Sequence, residues 1–212
     1  MNQHDLATLL IRHNCDKARK HHYHLVYGPP FESKQNEECN ILEIGIFNGA
    51  STRAFLEYMP KATFYGIDIF ERTKMEDIDI HSHPRVNWIQ SGSDDKNVIN
   101  LIKEQWGEDI KFDFVIDDGA HWHKAQRETF ENCFQFLKED GTYWIEDIWP
   151  MHIMTDSQKQ HRWITSPKRK DLYTIEENEK LLNTLKQYNF REIDHRRNTG
   201  QPDSFIYEVK GK

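Results

Sequence analysis

The sequence has few cysteines and no long hydrophobic run. Its three cysteines, Cys15, Cys39 and Cys133, lie far apart and form no Cys-x-x-Cys pair. This argues against a disulfide framework or a zinc ribbon, and for a reducing compartment. No apolar stretch approaches the ~20 residues that a membrane helix requires, and the mean hydropathy is -0.86. The first residues lack the features of a signal peptide, so we expect a cytoplasmic protein without a membrane span.

Basic residues are not in excess either. The chain has 28 lysines and arginines against 35 aspartates and glutamates, for a net charge of -7. Because a nucleic-acid-binding protein usually carries a basic excess or patch, we expect no nucleic-acid partner. Hydrophobic residues make up 37% of the 212 residues, which suits a single α/β domain with a full core.

The dinucleotide fingerprint Gly-x-Gly-x-x-Gly is missing as well. In its place Glu43, Gly45 and Gly49 stand between an apolar run of strand character and a helical run that starts at Ser51. Glycine has no Cβ, so such a turn lets the backbone approach a ligand closely. The spacing disfavours a pyrophosphate clamp, and with it an NAD-dependent oxidoreductase. The alternative is a tight turn that binds nothing.

Strand and helix patterns alternate from residue 41 onward, which predicts an α/β fold with a mostly parallel sheet and helices on both faces. The last two strand patterns are separated by a short polar linker, so we expect them to pair antiparallel. The predicted strands are 41–46, 63–69, 85–90, 112–117, 142–147, 190–195 and 204–209. The predicted helices are 1–14, 51–58, 94–105, 123–138 and 176–188, and residues 23–40 are predicted to be irregular.

We expect one domain over residues 1–212 with four regions. Residues 1–40 would form a helix and a segment that covers the cofactor or substrate, and residues 41–149 would form the cofactor-binding core. Residues 150–172 read as an irregular insert that could act as a lid over the site. Residues 173–212 would form the last helix and a hairpin. Trp144 and Trp149 flank the end of the fifth predicted strand, where they are candidates for a pocket wall.

Two sets of acidic residues end neighbouring predicted strands. Asp68 follows the glycine turn by about twenty residues, a spacing at which a carboxylate commonly binds the hydroxyls of a ribose. The second set combines the run from Asp117 to His121 with Glu146 and Asp147. Packed carboxylates repel unless a cation compensates them, and an oxygen-rich set with few histidines suits Mg²⁺ or Mn²⁺. The alternative is that these carboxylates cap the following helices.

These motifs resemble class I S-adenosylmethionine-dependent methyltransferases. The segments 115–121 and 141–147 are more specific, because they are similar to the metal-dependent O-methyltransferases that modify sugar hydroxyls in macrolide tailoring. Asp16-Lys17, His22-Tyr23 and the segment 27–31 also resemble that group. The resemblance implies a Rossmann-like sheet of seven strands with an antiparallel last strand, S-adenosylmethionine as cofactor, and Mg²⁺ or Mn²⁺.

The resemblance also implies roles for individual residues. The methionine part of the cofactor would lie near Glu43, Gly45, Gly49 and Ser51, and its amine near Asp117. Asp68 would bind the ribose, and Ser93 and Asp94 would lie by the adenine. Asp118, Glu146 and Asp147 would bind the metal ion, and His121 would be the general base.

We therefore expect methyl transfer to a hydroxyl of a sugar or glycoconjugate. The acceptor stays open between a small molecule and a glycan, and a phosphate-type oxygen is an alternative. A non-catalytic module that binds S-adenosylmethionine is a further alternative, although the acidic residues and His121 argue against it. No apolar seam in the sequence decides whether the chain forms a homo-oligomer.

Overall fold

The computed structural model describes residues 5–211, which build a seven-stranded sheet in the order β3-β2-β1-β4-β5-β7-β6. The first five strands are parallel, and β7 runs antiparallel between β5 and β6. This confirms the predicted fold class. The strands are β1 (Asn40–Ile44), β2 (Thr63–Asp68), β3 (Val86–Gln90), β4 (Phe112–Asp117), β5 (Leu137–Ile145), β6 (Asn189–Asp194) and β7 (Phe205–Lys210).

Helices cover both faces of this sheet. They are α1 (Leu6–Arg12), α2 (Asp16–Arg19), α3 (His24–Lys34), α4 (Ala50–Tyr58), α5 (Val98–Trp106), α6 (His123–Cys133), α7 (Asp156–Lys159), α8 (Arg162–Thr165), α9 (Ile175–Leu185) and α10 (Arg196–Thr199). Short 3₁₀ turns occupy Met75–Asp77 and Phe134–Phe136.

The two faces bury separate apolar clusters. Residues of α1, α3 and α4 pack on one face, with Phe31, Phe55 and Trp144 at its centre. Residues of α5, α6 and α9 pack on the other. All six residues of β4 are buried, as expected for a strand that is covered on both sides.

Several element boundaries differ from those predicted. Helix α3 occupies much of the segment predicted to be irregular, although it contains Pro29 and Pro30. Proline removes a backbone donor inside a helix, but Tyr27 and Phe31 on this helix are fully buried, so tertiary packing outweighs the local preference. Helix α1 ends at Arg12 instead of residue 14, and residues 1–4 of that prediction lie outside the described range.

Strand β5 also begins earlier than predicted. It starts at Leu137, inside the predicted helix 123–138, because α6 ends at Cys133 and a 3₁₀ turn follows it. The predicted antiparallel pair is confirmed as β6 and β7. None of the helices between residues 5 and 211 has the length and apolar character needed to cross a bilayer.

Candidate functional site

The glycine turn after β1 touches the chain after β4. Gly45 has a φ of +85°, and a Cβ at this position would lie 2.1 Å from the carbonyl oxygen of Asp118. Only glycine fits such a contact without movement of the backbone. The amide of Gly45 also donates to the carbonyl oxygen of Ile67 at 2.9 Å. Gly49 has a φ of +77° and immediately precedes α4. The turn therefore brings the ends of β1, β2 and β4 together.

Glu43 fixes the chain after this turn through hydrogen bonds. Its buried carboxylate accepts hydrogen bonds from the Ser51 hydroxyl and, at 2.7 Å, from the Thr52 hydroxyl. Burial raises the pKa of Glu43, while Lys17 and the two hydroxyls act in the opposite direction. Both hydroxyls belong to the first turn of α4, so Glu43 ties that helix to β1. Ser51 is buried, and its hydroxyl points toward Glu43.

Asp68 organises the loop at the end of β2. One carboxylate oxygen accepts from the amides of Ile46 at 2.6 Å and Phe47 at 2.9 Å. The other accepts from the amide of Phe70 at 2.6 Å. The side chains of Phe47 and Ile69 beside it are each 54% exposed. A carboxylate oxygen has two lone pairs, so Asp68 retains acceptor capacity between two exposed apolar side chains.

Asp117 is a buried carboxyl at the end of β4. One of its oxygens accepts from the amide of Gly119 at 3.2 Å, and the other has no hydrogen-bond partner among the described residues. Burial raises the pKa of Asp117 from 3.8 to about 8, with added repulsion from Asp118 and Asp94. The Ser93 hydroxyl lies on the same side of Gly119 as Asp117. The loop after β3, with Ser93 and exposed Asp94, therefore lies close to Asp117 at the end of β4.

Asp118, His121 and Asp147 form one group. A ligand atom from each lies within 4.8 Å of the other two, and no other set of three or more such residues within 5–211 does so. The Nε2 atom of His121 is 4.0 Å from Oδ1 of Asp118. Two carboxylates that lie this close together suit a hard divalent cation such as Mg²⁺ or Mn²⁺, and an imidazole beside them can bind the ion or accept a proton. The residues present therefore fit such an ion.

The carboxylates do not serve as helix caps here. The residue before α6 is Trp122, and no side chain caps that helix end. The first helix after Asp147 is α7, which starts at Asp156 and is capped by Thr155. The capping alternative is therefore wrong for these residues.

Glu146 is not a member of this group, although it shares Lys17 with Asp118. Its carboxylate accepts from Lys17 Nζ at 2.8 Å to each oxygen and from the Tyr27 hydroxyl. The expectation that Glu146 binds the metal ion stays a prediction. Lys17 and Tyr27 received no individual role from the sequence. The usable signal was that a buried acidic residue at a strand end needs a buried cation.

The N-terminal segment also reaches Asp147. The Tyr23 hydroxyl donates to Oδ1 of Asp147 at 2.7 Å, and it accepts from the Asp147 amide at 3.2 Å. His21 lies 3.5 Å from the same carboxylate and bonds the Ser204 hydroxyl at 2.8 Å. Burial raises the pKa of Asp147, although His121 counteracts this. The short segment that joins α2 to α3 therefore lies along one side of the site.

The segment 150–172, which follows Trp149, holds the two short helices α7 and α8. Trp149, Met151, Met154, Ile164 and Tyr173 form a small apolar cluster. The carbonyl oxygen of Trp149 forms a hydrogen bond with His123 Nε2 at 2.7 Å. Burial raises the pKa of Tyr173, and the nearby charge of Asp147 raises it further. Trp163 is 42% exposed, and the Arg169 guanidinium lies 3.4 Å from its ring centre.

Trp144 is not a pocket wall. It is fully buried, donates to Glu208 at 2.8 Å and stacks on Phe114. Residues of β5 alternate between the two sheet faces, and Trp144 falls on the face that α3 covers. Trp149 is also buried, but it packs against His161 of the segment 150–172 and against Tyr173, which follows that segment.

A sheet of this order, with an antiparallel β7 and a glycine turn after β1, is the Rossmann-like methyltransferase fold. Residues 42–148 match the family model described as "Methyltransferase domain". This is half of the chain, and the chain belongs to that family.

The similar proteins are O-methyltransferases according to their names, and one of these names contains a rhamnosyl sugar. Mycinamicin VI 2''-O-methyltransferase of Micromonospora griseorubida is 29% identical over an alignment of 153 residues, and this alignment covers 68% of this chain and 36% of that protein. A rhamnosyl-tetracenomycin 3'-O-methyltransferase of Streptomyces olivaceus shows the same identity over 68% of this chain and 37% of its own length. The chain thus spans little more than a third of these relatives.

Solved structures show the same fold. The mycinamycin-pathway methyltransferase MycE, in complex with Mg and SAH, has a TM-score of 0.69 at 22% identity, over 100% of this chain and 56% of that one. An SAH-bound methyltransferase of Podospora anserina has a TM-score of 0.58 at 15% identity, over 100% and 91%. At these identities the likeness concerns the fold.

Proposed function

We propose that the chain transfers the methyl group of S-adenosylmethionine to a sugar hydroxyl with the help of a divalent ion. One observation carries this proposal: the glycine turn packs directly on Asp118, a member of the group with His121 and Asp147. The predicted cofactor-binding turn therefore lies directly against the group that would bind the metal ion. The named activities of the sugar O-methyltransferases to which the chain is similar support the same reading.

The donor half would use the loops at the ends of β1 to β4. Gly45 and Gly49 would pass beneath the methionine part of the cofactor, with Glu43 and Ser51 holding the turn. Asp68 would accept hydrogen bonds from the ribose hydroxyls, flanked by the exposed side chains of Phe47 and Ile69. These apolar flanks would exclude water from the nucleoside.

Asp117 would bind the methionine amine, and Ser93 with Asp94 would lie by the adenine. The free, buried oxygen of Asp117 supports this assignment, because an ammonium group would satisfy it. A bound cation beside Asp117 would also favour its ionised form. Cofactor binding would therefore lower a pKa that burial raises.

The acceptor half would centre on Asp118 and Asp147, with Glu146 as the third expected ligand. A divalent ion bound there would supply Lewis acidity that favours ionisation of the acceptor hydroxyl. His121 would take the proton of that hydroxyl through Nε2, the nitrogen that faces Asp118. The side chain of His121 is 35% exposed, so an acceptor can reach it.

The reaction itself needs alignment more than activation, because the sulfonium of the donor is already a good leaving group. The acceptor oxygen would attack the methyl carbon as the carbon–sulfur bond breaks, leaving S-adenosylhomocysteine and the proton on His121. Residues 150–172 would shield this step, and the exposed side chain of Trp163 would offer an aromatic surface to a sugar. The acceptor's identity, a cytoplasmic location and the absence of a nucleic-acid partner stay predictions.

The test is methyl transfer from labelled S-adenosylmethionine to a panel of glycosides and nucleotide-sugars. We expect transfer to at least one of them, and its loss after chelation with EDTA until Mg²⁺ or Mn²⁺ is returned. The His121→Ala variant should bind S-adenosylhomocysteine normally and lose about 10²–10⁴ in rate, the usual contribution of a general base.

His83→Ala is the matched control, because His83 lies in the loop before β3, at the opposite edge of the sheet. This variant should retain full activity. Near-normal turnover of His121→Ala would remove His121 from the mechanism. Binding of S-adenosylhomocysteine without transfer to any acceptor would favour the non-catalytic module.

A further inference from the structure

A fully buried lysine lies behind the metal-type group. Lys17, on the short helix α2, is 1% exposed. Its ammonium donates to Oδ2 of Asp118 at 2.5 Å and to both oxygens of Glu146 at 2.8 Å. The three donors of an ammonium are thus directed at two of the three carboxylates expected to bind the ion.

Lys17 is the main positive charge at this place. Glu43, Asp118, Glu146 and Asp147 lie around it, and in residues 5–211 neither arginine nor another lysine pairs with any of them. Its ammonium lies within 2.8 Å of three carboxylate oxygens of Asp118 and Glu146, so Lys17 neutralises part of a strongly acidic cluster.

A divalent ion at Asp118 and Asp147 would need the same negative charge that Lys17 already compensates. Asp118 shows this division directly, because Oδ2 accepts from Lys17 while Oδ1 faces His121. A fixed positive charge on one oxygen weakens the attraction of a cation to the other. Without any cation, in contrast, the buried carboxylates would repel one another.

We propose that Lys17 is a built-in counter-ion of the metal site, which keeps the protein stable without a divalent ion and keeps the affinity for that ion low. The inference rests on the proposed metal role of the Asp118 group. It assigns Lys17 a positioning and tuning role, since its ammonium touches the ligands of the ion and not the reacting atoms. A metal that binds weakly would exchange readily with solution.

The experiment compares wild type with Lys17→Met in thermal unfolding, with EDTA and with rising MnCl₂, and in calorimetric titration with MnCl₂. Methionine keeps the length and apolar stem of lysine and removes the charge. In EDTA, Lys17→Met should melt well below wild type. Saturating Mn²⁺ should restore most of the difference, because the ion replaces the missing charge. The affinity of Lys17→Met for Mn²⁺ should be higher by about tenfold or more, which is ~1.4 kcal/mol.

Lys34→Met is the matched control. Lys34 pairs with buried Asp113 at 2.7 Å at the opposite edge of the sheet. Its loss should lower the melting temperature equally with and without Mn²⁺, and the Mn²⁺ affinity should stay at the wild-type value. Lys17→Gln serves as a second, milder variant, since its amide can still donate to Glu146 but carries no charge.

Two results would overturn the role of Lys17. One is a loss of stability in both Lys17 variants that Mn²⁺ does not restore, and the other is Mn²⁺ affinity that is unchanged or weaker. Absence of Mn²⁺ binding in wild type and in both Lys17 variants would instead contradict the proposed metal site. Variants that fold only when Mn²⁺ is present would support the counter-ion role.

Discussion

Replacement of Gly45 by alanine tests the contact that joins the two halves of the site. A Cβ at this position would lie 2.1 Å from the carbonyl oxygen of Asp118, 2.6 Å from its carbonyl carbon and 3.0 Å from Cα of Gly119. All three atoms belong to the backbone, so no side-chain rotation relieves the clash. The segment from Asp117 to Gly119 would have to move by more than about 1 Å to restore ordinary contact distances.

Two effects contribute to the expected loss of stability. The φ of +85° costs an alanine about 1–2 kcal/mol, and overpacking of a tight contact adds about 1–3 kcal/mol. Gly200 has a φ of +71°, and a Cβ at that position would meet nothing within 4 Å. Gly200→Ala therefore measures the first effect alone, and the difference between the two variants isolates the contact with Asp118.

The assays are unfolding in urea and calorimetric titration with S-adenosylhomocysteine. We expect Gly45→Ala to lose about 2–5 kcal/mol in the free energy of unfolding, and to bind S-adenosylhomocysteine more than tenfold more weakly. Gly200→Ala should lose about 1–2 kcal/mol and bind as wild type does. If both variants lost equal stability, or if Gly45→Ala bound normally, the argument from close approach would be refuted.

Two further predictions concern buried or loop-organising carboxyls. Asp68→Asn should weaken the binding of S-adenosylhomocysteine about tenfold to a hundredfold in calorimetric titration, because the substitution removes a charge-assisted hydrogen-bond acceptor. Unchanged affinity would exclude Asp68 from the nucleoside site. Burial raises the pKa of Asp117 from 3.8 to about 8, so the folded protein holds a proton that the unfolded chain releases. The free energy of unfolding should fall as pH rises between these values, by up to about 1.4 kcal/mol per pH unit. Asp117→Asn should remove that slope in urea unfolding between about pH 5 and pH 7, and an equal slope in both proteins would contradict the assignment.

Patterns of short range were enough to predict the fold class. Parallel strands that are buried on both faces produce continuous apolar runs, and β1 and β4 were recognised on this basis. Helix α3 and the early start of β5 were missed. Local preferences favour a break at Gly28-Pro29-Pro30, and only the burial of Tyr27 and Phe31 against Trp144 reverses them.

Local sequence also indicated part of the site. The carboxyl ends of parallel neighbours meet at one sheet edge, so adjacent β4 and β5 bring Asp118 and Asp147 together. That pairing follows from strand order, which the family resemblance implied.

The partners of these carboxylates depended on tertiary structure alone. Lys17 lies 101 residues from Asp118 and 129 from Glu146 along the chain, and Tyr27 lies 119 residues from Glu146. No spacing rule connects such positions. The sequence by itself therefore determined the sheet, the glycine turn and the acidic strand ends, because these follow from local periodicity and backbone conformation. The fold decided which charges compensate one another, because burial and distance exist only once α2 and α3 pack against the sheet.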